Sequence, residues 1–514
     1  MSISPFHCHE CYKLRRNVHN GLKVLQEYAW LLNSFVLDFY TENHWKKLPE
    51  KWKQILDNVE PEELGKLLDP SNLNGSLQRV WPLSLLALRS ASVLLSVSRQ
   101  QCRHDSFLSE HFEKCPVFPQ SSVSESSKTC SLHKVGQFKN CNNSVHSASS
   151  PKTSSILQRS ELSYVFTKHV KPKKRHEITT MAQVTAETAQ ASGCQYIVDI
   201  GSGMGHLSRM LAYGYGLNVC CLEAQETLSE QARKLDAELE VSVSKRLSPE
   251  EMANFHRPVH VNVTIRPQLD TSSFVKDILK AFDKTHETDL KFGLVGLHPC
   301  GNLGPILLQL FVNCHNVKFI NIVGCCYMKI SLDNPLSDHF TGYPLSYFVS
   351  ERPHTISYEA CEIACHAIES YCERLCSGDV NHLKVHCYRA TLERLLVKHS
   401  PDLRHAGIHS IKHVHLMAFE EYCKAAVSRL GVQLSLEQAS CEETLDNLAQ
   451  WKRVVTLYSL RLMLAPLVET IVLLDRLLYL HERGISSVLI PVFKPSLSPR
   501  NHILVATKPK EDDP

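Results

Sequence analysis

A short apolar run that breaks directly into glycines constrains the fold of this chain more than any other feature. Residues 196–200 are typical of a buried strand, and Gly201, Gly203 and Gly205 separate them from a helical stretch. Glycines at such a turn let the backbone approach a ligand closely, because they carry no Cβ atom. Strand, loop and helix together predict a Rossmann-like domain with a ligand at the end of its first strand.

The spacing of the glycines distinguishes two classes of ligand. The pattern is G-x-G-x-G, without the third glycine of the dinucleotide fingerprint at its usual distance. Asp199 is placed to receive a cofactor ammonium or to organise the loop, and Glu223 is placed to accept both ribose hydroxyls. An NAD-linked oxidoreductase needs the same acid and is the less favoured alternative. We therefore expect S-adenosyl-L-methionine to bind at Asp199, Gly201, Ser202, Gly203, Gly205 and Glu223.

Apolar strands alternate with helical stretches beyond the glycine loop. Further strands are predicted at 217–222, 260–265, 292–297 and 319–323. This alternation predicts a parallel sheet covered on both faces. The chain closes with strand, turn and strand, so the last two strands are expected to be antiparallel. The predicted fold class is therefore α/β, a class I (Rossmann-like) methyltransferase with a doubly wound, mostly parallel sheet and a C-terminal antiparallel hairpin.

Residue composition and the periodicity of apolar residues divide the rest of the 514-residue chain into helical and polar segments. We predict an N-terminal helical unit at 1–100, a Ser-rich disordered linker at 101–160, the core strands one to five at 161–350, a helical insertion at 351–450, the final helix and hairpin at 451–508, and a tail at 509–514.

Charge and cysteine content restrict partners and compartment. The net charge is only +3, so bulk electrostatics give no argument for nucleic acid. The 20 cysteines are scattered, and the N-terminus lacks the pattern of a secretory signal. We therefore expect free thiols in an intracellular protein, cytoplasmic or nuclear. The apolar stretch 457–480 is interrupted by four charged residues, which favours a buried helix over a membrane span.

Two loops at the ends of strands four and five carry the candidate catalytic residues. His298 and Cys300 follow strand four, while Cys325, Cys326 and Tyr327 follow strand five. Ligands bind beyond the carboxyl ends of strands in open α/β sheets, so these loops should converge beside the methyl group. His298 is suited to general base catalysis or to orienting the acceptor.

The same loops offer the ligand types of a tetrahedral zinc site. We do not favour a metal at His298, Cys300, Cys325 and Cys326, because adjacent cysteines seldom both reach one ion in good geometry. The alternative is that the cysteine pair packs as small apolar residues at a strand end.

A basic segment precedes the first predicted helix of the core, which is expected at 177–191. Its charges, which lie on Lys171, Lys173, Lys174 and Arg175, are suited to following the phosphates of an RNA substrate. The alternative is a solvated charge run without a partner.

Taken together, these motifs resemble those of the methyltransferase-like protein 25 family, and within it the 25B branch, also called ribosomal RNA adenine dimethylase domain-containing protein. The segments that carry the resemblance are 169–178, 198–208, 296–303, 324–330, 464–480 and 498–501. The resemblance implies a methyltransferase fold and S-adenosyl-L-methionine as the cofactor, and it says little about the substrate.

The paired loops are also similar to those of a tRNA 2'-O-methyltransferase family, which favours an RNA acceptor. Adenine-N6 methylases instead carry an Asn/Asp-Pro-Pro-Tyr-like motif after strand four. Here the position reads His298-Pro299-Cys300-Gly301, which disfavours adenine-N6 chemistry. A non-catalytic binding or scaffold protein that keeps the methyltransferase fold is the alternative function.

Overall fold

The computed structural model describes residues 9–70, 79–102, 166, 170–248, 252, 255–333, 339–408 and 411–508. The predicted tail and all but the first two residues of the predicted Ser-rich linker lie outside the described residues. The chain divides into two compact units. One comprises Met1–His19, Val97–Thr355 and Ile471–Pro514, and the other comprises Asn20–Ser96 and Ile356–Thr470.

The first unit is built on one seven-stranded sheet. Its strands are β1 (Tyr196–Ile200), β2 (Asn218–Glu223), β3 (Val259–Asn262), β4 (Phe292–Gly296), β5 (Val317–Val323), β6 (Ser486–Pro491) and β7 (His502–Thr507). Their order is β3-β2-β1-β4-β5-β7-β6. The first five strands are parallel, and β7 runs antiparallel to both of its neighbours. The predicted class I methyltransferase fold is confirmed.

The central strands are apolar because they are covered on both faces. Every residue of β4 is buried, and so are the last four residues of β1. Gly293 of β4 is paired with Phe319 of β5, and a Cβ atom at Gly293 would collide with the Phe319 ring. The absence of a side chain at Gly293 thus makes room for an aromatic ring in the core.

Six helices of this unit matter for the site. They are α1 (Pro172–Ala191), α2 (His206–Arg209), α3 (Glu226–Ser244), α4 (Thr271–Ala281), α5 (Leu303–Asn313) and α6 (Ala465–His481), of which the last begins in the other unit. Helix α3 packs on β2 and β3, and α5 packs on β4 and β5. A π-helical turn, Met210–Gly214, continues α2. The helices His9–Glu27 and Tyr347–Ser350 also contribute residues to this unit.

The start of α1 differs from the prediction. The basic segment was expected to precede a helix that begins near Glu177, but the helix begins at Pro172. Proline favours the first helical position because its φ is already helical and its missing N–H has no helical partner there. Lys173, Lys174 and Arg175 therefore lie on the first turn of α1.

The second unit is helical. Its helices are Ala29–Leu32, His44–Lys47, Glu50–Leu56, Pro61–Leu68, Leu83–Leu95, Tyr358–Ile363, Ile368–Cys376, Val380–His399, Phe419–Val427, Leu436–Ser440, Glu442–Ala449 and Trp451–Met463.

This second unit joins segments that the prediction kept apart. The N-terminal helices and the helical insertion pack together, and residues 451–470 belong with them and not with the sheet. The buried guanidinium of Arg461 connects all three segments. It donates to the carbonyl of Leu32 at 3.1 Å and to the carbonyl of Glu359 at 3.1 Å.

The stretch Trp451–His481 is long and apolar enough to cross a membrane by length and composition, and 94% of its most apolar window is buried inside the structure. It consists of two helices, and Pro466 is the second residue of the second one.

Candidate functional site

The glycine loop between β1 and α2 adopts a backbone that favours glycine. The φ angles of Gly201, Gly203 and Gly205 are +71°, +55° and +68°, in the left-handed region. The backbone N–H groups of Gly201 and Ser202 donate to the carbonyl of Leu222 at 2.8 and 3.2 Å, which ties the loop to β2. A Cβ atom at Gly203 would meet no described atom within 4 Å, so the space beside this residue is open.

Glu223 at the end of β2 is joined to that loop. Its Oε2 accepts the backbone N–H of Gly203 at 2.8 Å, and its Oε1 accepts that of Gln225 at 3.0 Å. Each carboxylate oxygen has two lone pairs, so both oxygens can still accept another hydrogen bond. The predicted ribose-binding acid therefore lies against the predicted cofactor loop, with acceptor capacity to spare.

Asp199 is hydrogen-bonded to the helix that follows the glycine loop. The Ser208 hydroxyl donates to Asp199 Oδ2 at 2.5 Å, and the residue is only 2% exposed. Burial raises the pKa of Asp199 to about 6, although the hydrogen bond from Ser208 opposes this shift. This hydrogen bond ties the end of β1 to α2, which agrees with the predicted role of organising the loop.

A buried ionic network under the loop was not foreseen. Arg209 Nε lies 2.6 Å from Asp236 Oδ1, and His260 Nε2 lies 2.7 Å from Asp236 Oδ2. Arg209 also donates to the carbonyl of Met204 at 2.9 Å, so the network holds the loop backbone. The one signal in the sequence was that Asp236 interrupts the apolar stripe of α3, where it is buried.

The loops after β4 and β5 meet, as predicted from their position at one edge of the sheet. The Gly301 N–H donates to the carbonyl of Cys325 at 3.4 Å. Gly301 has a φ of +58°, and a Cβ atom there would lie 2.6 Å from the carbonyl oxygen of Lys329. Glycine at this position thus permits the close approach of the two loops.

Three cysteines from these loops form a compact cluster. The Sγ atoms of Cys300 and Cys325 are 3.7 Å apart, those of Cys325 and Cys326 are 3.5 Å apart, and those of Cys326 and Cys300 are 3.4 Å apart. Hydrogen bonds, first from Cys325 and then from Cys326, lower the pKa of Cys300 to about 5, against burial, which raises it. The pKa of Cys325 is raised, first by its hydrogen bond with Cys300 and then by burial.

His298 lies between the cysteine cluster and a buried acid. Its Nδ1 is 3.9 Å from Cys325 Sγ, and its Nε2 is 3.3 Å from Glu177 Oε2. Burial raises the pKa of Glu177, but hydrogen bonds from His298 and Ser498 outweigh it, so the pKa is lowered. The sequence alone does not identify Glu177 as the partner of His298, because the two residues lie 121 positions apart in the chain.

Tyr327 lies differently from its predicted role at the acceptor. Its side chain is fully buried, at 0% exposure, and a Cβ atom at Gly324 would collide with its hydroxyl group. The Arg476 guanidinium lies 6.0 Å from the centre of its ring. Tyr327 therefore supports the loop after β5 from below and does not reach an acceptor from this position.

Comparison with known proteins agrees with the geometry. A family model described as a methyltransferase domain matches residues 173–333, which include the glycine loop, Glu223 and both cysteine loops. The probable methyltransferase-like protein 25 of Mus musculus is 25% identical over 461 residues, which cover 66% of this chain and 75% of the relative. The protein of the same name from Homo sapiens is 22% identical over 458 residues, with the same shares covered.

No solved structure matches the chain. The methyltransferase domain, the strand order and the similarity to these relatives agree with one another. The chain carries a methyltransferase domain at residues 173–333 and is similar in sequence to methyltransferase-like protein 25.

Proposed function

We propose that this methyltransferase uses S-adenosyl-L-methionine, held on the glycine loop and on Glu223. The observation that carries the proposal is the pair of backbone hydrogen bonds at Glu223, which fixes a carboxylate with free acceptor capacity beside an open loop. The ribose hydroxyls would donate to Glu223, and the methionine part would follow Gly201 and Gly203.

The methyl group then faces the ends of β4 and β5. Methyl transfer needs an in-line approach of the acceptor to the sulfonium, so positioning contributes most of the catalysis. His298 and Cys300 lie at this edge of the sheet, and both are at least partly exposed. We propose that the acceptor is oriented there.

RNA is the acceptor class that we propose. Lys171, Lys173 and Arg175 are exposed at the start of α1. Lys173 Nζ lies 3.8 Å from Oε1 of Glu177, the residue that contacts His298. These exposed cations lie one helical turn from the residue that contacts His298, so a polyanionic acceptor is favoured. The sequence at 298–301 disfavours an adenine-N6 acceptor.

Calorimetric titration tests the cofactor. We expect heat of binding with S-adenosyl-L-methionine and none with NAD. Gly203→Arg should abolish the heat, because it fills the open space beside the loop. Gly216→Arg is the matched control, since Gly216 also has a positive φ and no described atom within 4 Å of a built Cβ. Absence of heat with the wild-type chain would instead support a scaffold protein.

Replacement of four basic residues tests the acceptor class. Alanine at Lys171, Lys173, Lys174 and Arg175 should weaken binding to single-stranded RNA and reduce its dependence on salt by about three in log–log slope. The control carries alanine at four other basic residues, Lys245, Arg246, Lys276 and Lys280, which are all exposed. They lie on α4 or just beyond the C-terminal end of α3, away from the glycine loop. Equal loss in both variants would argue against an RNA site at α1.

A further inference from the structure

We propose that Cys300, Cys325 and Cys326 bind one zinc ion, and that His298 completes its coordination through Nδ1. The site lies at the ends of β4 and β5 and is independent of the cofactor cradle. The adjacent cysteines disfavour a metal at the level of sequence, and the tertiary geometry favours one.

The spacing of the three sulfur atoms matches one face of a tetrahedral zinc site. With zinc–sulfur bonds of about 2.3 Å, the sulfur atoms of a tetrahedron lie about 3.8 Å apart. The observed separations are 3.7, 3.5 and 3.4 Å. A single ion can therefore bind all three sulfur atoms with little movement of them.

The backbone conformation at Cys326 allows two adjacent cysteines to reach the same ion. Cys326 has φ +47° and ψ +56°, a left-handed conformation that residues other than glycine seldom adopt. This turn brings the Sγ atoms of Cys325 and Cys326 within 3.5 Å of each other. Strained backbone positions of this kind cluster at functional sites. Here the strained turn directs two consecutive thiols towards the position of the proposed ion.

His298 has the environment of a histidine that ligates a metal. Its Nδ1 lies 3.9 Å from Cys325 Sγ, and its Nε2 lies 3.3 Å from Glu177 Oε2. The three sulfur atoms lie within 4.8 Å of one another without His298, so the imidazole would move towards them to complete the tetrahedron. Histidine ligands commonly donate their second ring N–H to a carboxylate, which fixes the tautomer and the orientation of the ring. Glu177 is in turn held by the Ser498 hydroxyl at 2.6 Å.

The buried cation of Arg476 complements the net negative charge that the site would carry with zinc bound. Arg476 is 1% exposed, and its Nε and Nη2 atoms have no hydrogen-bond partner among the described residues. Its guanidinium lies 6.0 Å from the centre of the ring of Tyr327, which is in the loop that carries Cys325 and Cys326. Three thiolates, one neutral imidazole and Zn²⁺ carry a net charge of −1, which Arg476 would offset. A buried guanidinium with unpaired donors is otherwise costly.

Such a site would join the two loops that border the acceptor. Gly301 already allows them to approach within van der Waals distance, and the ion would bridge Cys300 on one loop to Cys325 and Cys326 on the other. The competing interpretation is a metal-free cluster in which Cys300 is a reactive thiolate.

Metal analysis of the full-length chain, purified under reducing conditions with zinc in the growth medium, tests the proposal. We expect one zinc per chain in the wild type and almost none in the double variant Cys300→Ser/Cys326→Ser. The matched control is Cys376→Ser/Cys441→Ser, because it also changes one exposed and one half-buried free cysteine. The control should keep its zinc. Wild-type protein without zinc, or a double variant that retains it, would overturn the proposal.

Two measurements on folded protein remain decisive if the double variant does not fold. Cobalt titration of the metal-free wild type should produce sulfur-to-metal charge-transfer bands and the intense visible bands of tetrahedral cobalt. Zinc should also protect Cys300, Cys325 and Cys326 from alkylation, as mapped by mass spectrometry, while Cys376 and Cys441 react as before. In His298→Ala, the charge-transfer bands should persist, while the visible bands shift and the affinity for cobalt falls. Three thiols that alkylate equally fast with and without zinc would refute the site.

Discussion

Replacement of Glu223 by glutamine changes the side chain that links the end of β2 to the glycine loop. The carboxylate accepts the backbone N–H of Gly203 at 2.8 Å and that of Gln225 at 3.0 Å. An amide of the same shape has one acceptor oxygen, so one of these N–H groups would face an NH₂ group instead. Loss of a hydrogen bond to a charged group costs about 1.5–3 kcal/mol, so the loop should also become less stable.

Glu223→Gln should also weaken binding of the cofactor, because glutamine has one acceptor oxygen where glutamate has two. Two ribose hydroxyls can donate to the carboxylate, but only one can donate to the amide oxygen. The loss of one charge-assisted hydrogen bond, about 1.5–3 kcal/mol, predicts roughly a ten- to hundredfold weaker binding of S-adenosyl-L-methionine. Calorimetry of the wild type and of Glu223→Gln measures this directly, and circular dichroism checks that both chains are folded.

Glu226→Gln is the matched control for this prediction. Glu226 lies three positions further on, is exposed in the first turn of α3, and loses the same charge on substitution. Its affinity for the cofactor should stay at the wild-type value. If Glu223→Gln is folded and binds the cofactor as tightly as the wild type, the role of Glu223 is refuted. Equal weakening in both variants would indicate a general electrostatic effect.

Three further predictions concern stability and the acceptor edge. Asp236→Asn leaves the buried cation of Arg209 without its counter-charge, so it should destabilise the chain by about 3–5 kcal/mol in urea unfolding, and an unchanged midpoint would contradict this. Burial raises the pKa of Asp199 from 3.8 to about 6, so the folded chain binds more protons between these pH values and its stability falls as the pH rises through them. Asp199→Asn should remove about 3 kcal/mol of that fall, and identical pH profiles of the unfolding midpoint would refute the assignment. Gly301→Ala places a Cβ atom 2.6 Å from the Lys329 carbonyl oxygen and should separate the two loops. We expect a lower zinc content and an unchanged affinity for S-adenosyl-L-methionine, and full zinc occupancy would count against the proposed zinc site.

The fold was predictable because its signals are local. An apolar run of five residues, a glycine loop and a following helix occupy 14 consecutive positions, from 196 to 209, and the structure has β1 and α2 at that place. Parallel strands share their carboxyl edge, so the convergence of the loops at His298 and Cys325 followed from topology alone. The charges of Lys171–Arg175 predict a start of α1 at Glu177, five residues too late, because they hide the preference of Pro172 for the first helical position.

What the sequence by itself determined is the class of the fold, the glycine loop and the pair of loops opposite it, since each depends on spacing within a short segment. Only the tertiary structure decided which distant groups meet. It paired Glu177 with His298, placed Asp236 between Arg209 and His260, and brought three thiols within 3.7 Å of one another. These contacts join separate strands, helices and loops, and no sequence period encodes them, because their geometry depends on backbone turns such as that at Cys326 and on how the elements pack.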